Sequence, residues 1–137
     1  MRRLLLALLA TLALAVPLRA DEAAAPAIRD VIQSQIDAFL ADDFARAFTY
    51  ASPGIQGIFR TPETFGRMVR QGYPMVWRPD EVRFLDLEER EGALHQKVLI
   101  RDDAGATHVL DYTMEPDGQG GWKIDGVRIL EAPEVAA

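Results

Sequence analysis

Ala93-Leu94-His95-Gln96-Lys97-Val98-Leu99-Ile100-Arg101, then Asp102-Asp103-Ala104-Gly105-Ala106, then Thr107-His108-Val109-Leu110-Asp111-Tyr112-Thr113-Met114-Glu115 is the stretch that decides the fold. Its two outer runs alternate in polarity with period two, the mark of half-buried strands, and the Asp/Gly-rich piece between them is a turn. Leu94, Gln96, Val98 and Ile100 share one face of the first run; His108, Leu110, Tyr112 and Met114 share one face of the second. A slip of one residue would invert every side chain, so matching these faces fixes the register. Ile100 then opposes His108, Val98 opposes Leu110, Gln96 opposes Tyr112 and Leu94 opposes Met114. The other face opposes Leu99 to Val109, His95 to Thr113 and Lys97 to Asp111. The last is a cross-strand charge match worth roughly 0.2–1 kcal/mol.

Working outward, Val82–Leu87 and Trp122–Leu130 alternate in the same way. The linkers Glu91-Gly92 and Pro116-Asp117-Gly118-Gln119-Gly120-Gly121 are short and rich in turn formers, so the four strands pair as antiparallel hairpins. Past the third turn, Met114 is expected to face Trp122 and Tyr112 to face Ile124. A bulge at Gly126 would then return Val127 and Ile129 to the inner face, and a bulge any earlier would turn Asp125 inward.

Before Pro79 the period is helical. Ile28, Val31, Ile32, Gln35, Ile36, Phe39 and Leu40 recur at three- and four-residue steps and form one face of an amphipathic helix. Asp42-Asp43 offers a carboxylate cap for a second helix carrying Phe44, Ala47, Phe48 and Ala51, ended by Ser52-Pro53-Gly54. Ile55, Ile58 and Phe59 suggest a short helical turn. Thr61-Pro62 opens another helix with Phe65, Met68 and Val69 on its stripe and Gly72 at its end. Tyr73-Pro74-Met75-Val76-Trp77 reads as an extended aromatic connector. The fold class is α+β, with N-terminal helices packed on a curved four-stranded antiparallel sheet.

The chain starts differently. Met1-Arg2-Arg3 is basic, Leu4–Val16 is a 13-residue run with Thr11 as its only hydroxyl, and Pro17-Leu18-Arg19-Ala20 is a breaker ending in a small residue. That order is a secretory signal peptide, and the run is shorter than the about 20 residues of a spanning helix. The expected division is a signal peptide at 1–20 cleaved after Ala20, a flexible leader at 21–26, one domain at 27–130 and a tail at 131–137. The expected location is the periplasm or the medium, with no stable membrane anchor after cleavage.

Of 137 residues, 117 follow residue 20; they carry 12 basic and 21 acidic side chains, a net charge of −9 against −6 for the whole chain. One core fits in that length. Phosphate contacts need a basic patch, so nucleic acid is not an expected partner. Zero Cys excludes disulfides, thiol catalysis and thiolate metal sites, and His95 and His108 alone do not make a His-rich zinc site. No cofactor is expected.

Gln96, His108 and Tyr112 sit among aliphatic residues on the inner face, where polar groups need partners. They are candidate cavity-lining residues, with Tyr73 and Trp77 as an aromatic rim above them. The plainer reading is that Gln96 and Tyr112 bond each other, that His108 lies at an exposed sheet end and that the aromatics are core. Other motifs read most simply as structure. Asp42-Asp43 is a cap before it is a metal pair, Glu88-Glu89-Arg90-Glu91 is a solvated turn, Ser52 has no base at motif spacing, and the 117–121 loop lacks the Lys of a phosphate loop.

Two helices, a short third and four long antiparallel strands resemble the nuclear-transport-factor-2-like (SnoaL-like) cone. Gly121-Trp122-Lys123-Ile124-Asp125-Gly126-Val127 is similar to the last strand of that superfamily. The run from Ile36 to Phe48, Ala51-Ser52-Pro53-Gly54-Ile55, Phe65-Gly66-Arg67-Met68-Val69 and Tyr73-Pro74 are similar to an uncharacterised family of exported bacterial proteins, a domain of unknown function. The resemblance spans most of 27–130 and implies a fold rather than an activity. Catalytic members of the superfamily commonly place an Asp or His pair inside the cone; here Asp111 and Asp125 point outward in the register above.

No catalytic residue is assigned. The leading expectation is a non-catalytic periplasmic or secreted module that holds a small, largely apolar ligand between the first helix and the inner sheet face. A cofactor-free lyase, isomerase or hydrolase using His108 with Tyr112 or Asp125 is the second reading. A structural or assembly role, as a homodimer through an outer sheet face carrying Leu99, Val109 and Val127 or Ile129, is the third.

Overall fold

In the computed structural model, residues 20–130 are described. The expected signal peptide (all but its last residue) and the expected tail at 131–137 lie outside them.

Alternation becomes an antiparallel sheet of four strands: β1 (Pro79–Arg90), β2 (Ala93–Asp102), β3 (Thr107–Pro116) and β4 (Trp122–Leu130), in the spatial order β1-β2-β3-β4. The β2–β3 register is the one the apolar faces demand, with Val98 opposite Leu110, Gln96 opposite Tyr112 and Lys97 opposite Asp111. The β3–β4 register corrects the expectation. Met114 faces Ile124 rather than Trp122, and Tyr112 faces Val127 rather than Ile124. Asp125 is the extra residue, between Ile124 opposite Met114 and Gly126 opposite Thr113. The bulge thus lies one residue before Gly126. It leaves Val127 and Ile129 opposite Tyr112 and Leu110, while the Asp125 carboxylate reaches Ser52 of the helical layer. β1 runs longer than its alternation suggested and carries its own shift between Phe84 and Leu87.

Helical periods become α1 (Ala20–Leu40), α2 (Phe44–Thr49), α3 (Pro53–Phe59), α4 (Pro62–Gly72) and α5 (Pro74–Trp77). α1 buries Ile28, Ile32, Ile36 and Phe39 completely or nearly so, at the three- and four-residue steps of its stripe. The stretch 21–26, expected as a flexible leader, belongs to this helix, and Pro26 sits inside it. One proline removes a single N–H; Ala23, Ala24 and Ala25 are strong helix formers, and Ala24 packs against the core. Asp43, Ser52 and Thr61 cap α2, α3 and α4, each accepting the backbone N–H three residues on, and Pro53 and Pro62 fill the first turns behind the latter two. Ser52-Pro53-Gly54 therefore starts a helix as well as ending one. The Tyr73–Trp77 connector is a helical turn rather than extended, with the N–H of Arg78 donating to Pro74 O at 2.9 Å; proline's fixed φ favours a helical first turn.

Phe65 is the hub of the helical layer, its ring centroid 5.2 Å from Phe48 and 5.8 Å from both Phe39 and Phe59. α4 meets α2 at Gly66, where a β-carbon would stand 2.5 Å from Phe44 Cδ1. The helices are fastened to β4 by main chain. Ser52 N donates to Ile124 O at 2.8 Å, Ile124 N donates to Tyr50 O at 2.9 Å, and Ala51 forms a parallel bridge with Ile124.

Candidate functional site

A cavity of about 210 Å³ lies between the helices and the inner side of β4. Gln35 and Phe39 enter it from the apolar stripe of α1, Ile55 and Phe59 from α3, Phe65, Met68 and Val69 from α4, and Ile124, Gly126 and Val127 from β4; Ala51, Tyr73 and Val76 complete the wall. Gly126 brings no side chain to that wall, directly after the Asp125 bulge has bent the strand away. α3 covers the site lightly, with no fully buried residue of its own and Ile58 70% exposed.

Its lining is apolar apart from two side chains. Gln35 is buried and donates from Nε2 to Ala47 O at 3.1 Å. Tyr73 donates its hydroxyl hydrogen to Val127 O at 3.1 Å. Among the described residues, no Asp, Glu, His, Lys or Arg lines the cavity, so none of these lining residues supplies a charge or takes a proton at neutral pH. A second, more open depression of about 410 Å³ lies among Leu94, Met114, Trp122, Glu89, Glu115 and Asp125; it mixes apolar side chains with three carboxylates.

Of the five residues singled out in the sequence, Tyr73 alone lines the cavity between the helices and β4. Gln96 is fully buried on the inner face but does not bond Tyr112. Its Nε2 donates to Leu85 O at 2.9 Å and to Lys97 O at 2.8 Å. Leu85 stands in the β1 bulge, where a carbonyl has lost its ladder partner, so this amide repairs the sheet. Tyr112 is fully buried and its Oη has no hydrogen-bond partner; burial, then the nearby Tyr73, pushes its phenol pKa well above the ordinary value. His108 stands at the β2–β3 turn with Nε2 2.9 Å from Asp102 Oδ2. That is within reach for acid–base work, but neither residue lines either cavity. Asp102 also accepts the N–H groups of Ala104 and Ala106, and the His108 contact leads these bonds in holding its carboxyl below the usual range. Trp77 is no rim residue. Its indole N–H donates to Asp42 Oδ1 at 2.9 Å, while Arg78 grips both Asp42 oxygens at 2.8 and 2.9 Å. The Trp77 bond, then Arg78, hold Asp42 below the ordinary carboxylate value. Asp42-Asp43 thus divides into a loop anchor and a cap.

Two further clusters were not legible as such. Ser52, fully buried, donates from Oγ to Asp125 Oδ1 at 2.7 Å and accepts from Ile55 N at 3.2 Å; no histidine joins this pair. On the outer sheet face, Asp111 is only 4% exposed and meets the Arg90 guanidinium, with His95 Nδ1 at 3.3 Å and Arg128 Nη2 at 3.8 Å. Lys97, its expected partner across the strands, turns instead to Glu88 at 3.7 Å. Glu88 and Arg90 therefore belong to a built ion cluster rather than a solvated run. The outer face also holds Leu99 opposite Val109, whereas Val127 and Ile129 fall on the inner side of the register. Among the described residues, no group of three His, Cys, Asp or Glu side chains is placed to hold a metal ion, and no helix is long and apolar enough to cross a membrane.

The cavity residue that the sequence did signal, without its being singled out, is Gln35: the one amide on the apolar stripe of α1. Comparison with known families finds that residues 21–137 match the family described as "Domain of unknown function (DUF4864)". No curated protein matches the chain.

Proposed function

We propose, from the premise that this chain belongs to the DUF4864 family, that it is an exported, non-catalytic module that binds a small, largely apolar molecule between α1, α3, α4 and β4. One observation carries this reading: a cavity of about 210 Å³ walled mainly by aliphatic and aromatic side chains, in which the Tyr73 phenol is the only ionisable group among the described residues. Apolar pockets with a few placed polar groups are what small-molecule sites look like. The His108–Asp102 pair stands apart from the cavity, which weighs against the enzymatic reading. Helices over one face of a curved sheet support the resemblance to the nuclear-transport-factor-2-like cone, and the Met1–Ala20 pattern supports export to the periplasm or medium.

Native mass spectrometry of the protein purified from its own host tests the reading. The expected result is an adduct of small-molecule mass that dissociates on activation and is absent from a Val127→Phe variant, whose added ring fills the space. Bare protein mass from the wild type, together with identical thermal midpoints before and after extraction with organic solvent, would overturn it.

A further inference from the structure

Gln35 is 97% buried, yet only half of its amide is used. Nε2 faces a carbonyl, Ala47 O, so it must be the nitrogen, and the amide orientation is settled by that bond. Oε1 accepts no hydrogen bond from the described residues, and it is not among the sealed-off polar atoms without a partner. The side chain lines the cavity, so this oxygen is the acceptor the cavity presents. Tyr73 adds a second acceptor site of the same sign, since its own hydrogen is committed to Val127 O. Among the described residues, the wall offers lone pairs and no cation, no anion and no free hydroxyl hydrogen.

Size narrows the guest further. An engineered apolar cavity of about 150 Å³ holds benzene, so about 210 Å³ has room for a benzene-sized ring with a small substituent. An ion would lose its hydration without a counter-charge, which costs far more than apolar contact returns. We infer that the cavity selects a neutral aromatic or similarly compact apolar molecule bearing one hydrogen-bond donor, a hydroxyl or ring N–H, which Gln35 Oε1 receives. This rests on the ligand-binding reading proposed above and specifies the chemistry of the ligand.

Phenol, toluene and benzoate are the probes: the same ring with a donor, without one, and with a charge. Each is titrated into the wild-type protein and into Gln35→Leu at pH 7, with binding followed by calorimetry and by amide chemical shifts of residues around the cavity. Wild type is expected to bind phenol and toluene and to refuse benzoate. In Gln35→Leu, toluene binding is retained while phenol weakens about tenfold or more relative to toluene, because its hydroxyl is then buried without a partner. If wild type takes toluene but not phenol, takes benzoate as well as phenol, or shows a phenol-to-toluene ratio unchanged by the substitution, the donor inference falls while the apolar cavity stands. Binding of none of the three at millimolar concentration overturns the ligand-binding reading and this inference with it. The wild-type comparison needs no variant; should Gln35→Leu fold poorly, Gln35→Met, closer to the glutamine in shape and equally without the amide oxygen, takes its place with the same expected and overturning results.

Discussion

Ser52 has one hydroxyl and two obligations, closing the first turn of α3 and holding Asp125 at the β4 bulge. Ser52→Ala removes the cap and leaves both partners short, and the loss expected is about 1–2 kcal/mol, read as a lower urea midpoint. Gly66 meets its neighbour by having no side chain. In Gly66→Ala the new methyl drives into the Phe44 ring, and overpacking of this kind costs about 1–3 kcal/mol; the same urea experiment measures it. Asp102 gives a pH signature. Its folded pKa lies below its value of 3.8 in the absence of these contacts, so its stabilising contribution is complete above that value and drains away as pH falls through the lowered folded one. Wild type should exceed Asp102→Asn in stability at pH 7, and the two should converge as the pH drops below about 4, followed by chemical denaturation across the pH series. These roles were only partly visible in the sequence. Capping is local chemistry and can be read three residues ahead, as at Asp43 and Thr61. The Ser52–Asp125 bond joins residues 73 apart, and nothing in either neighbourhood announces the other.

Elements were legible where a period is long and unbroken. α1 and the β2–β3 pair follow from spacing alone, because burial on one face leaves one solution. The span of β4 was legible but its register was not, because a bulge breaks the count, and the position of that bulge follows the helical layer: Asp125 leaves the ladder to meet Ser52. Side-chain reach misled in another way. Lys97 faces Asp111 in register, yet Arg90, longer and planar, crosses from β1 and claims the carboxylate. Asp111 is buried and depends on that cation, although Arg90 itself is 40% exposed. Arg90→Met is therefore expected to cost about 1–3 kcal/mol, less than a fully buried pair would lose, while Arg90→Met combined with Asp111→Leu should recover most of it. A double-mutant cycle by thermal unfolding measures that coupling. α3 stands at the other extreme. It has two glycines in seven residues and no buried side chain, so its amides should exchange with deuterium well before those of α1.

At the scale of the whole molecule, the α+β arrangement was readable and most of the cavity's lining was not. Four of the five residues singled out, Trp77, Gln96, His108 and Tyr112, serve the bulge, the turn, a loop anchor or the interior, and Tyr73 alone reaches the cavity. Polarity on an apolar face flags a residue that needs a partner, without saying whether backbone or ligand supplies it. A cavity is also an absence left by several elements at once, and no single stretch encodes it. The main-chain link between Tyr50–Ser52 and Ile124 has a bearing on how the protein is made. The helical half lacks its fastening until the last strand exists, so a ribosome that has synthesised everything up to Gly121 still holds an unfinished domain. Contacts this distant along the chain slow the search for the native state, and this one cannot close before β4 has left the ribosome.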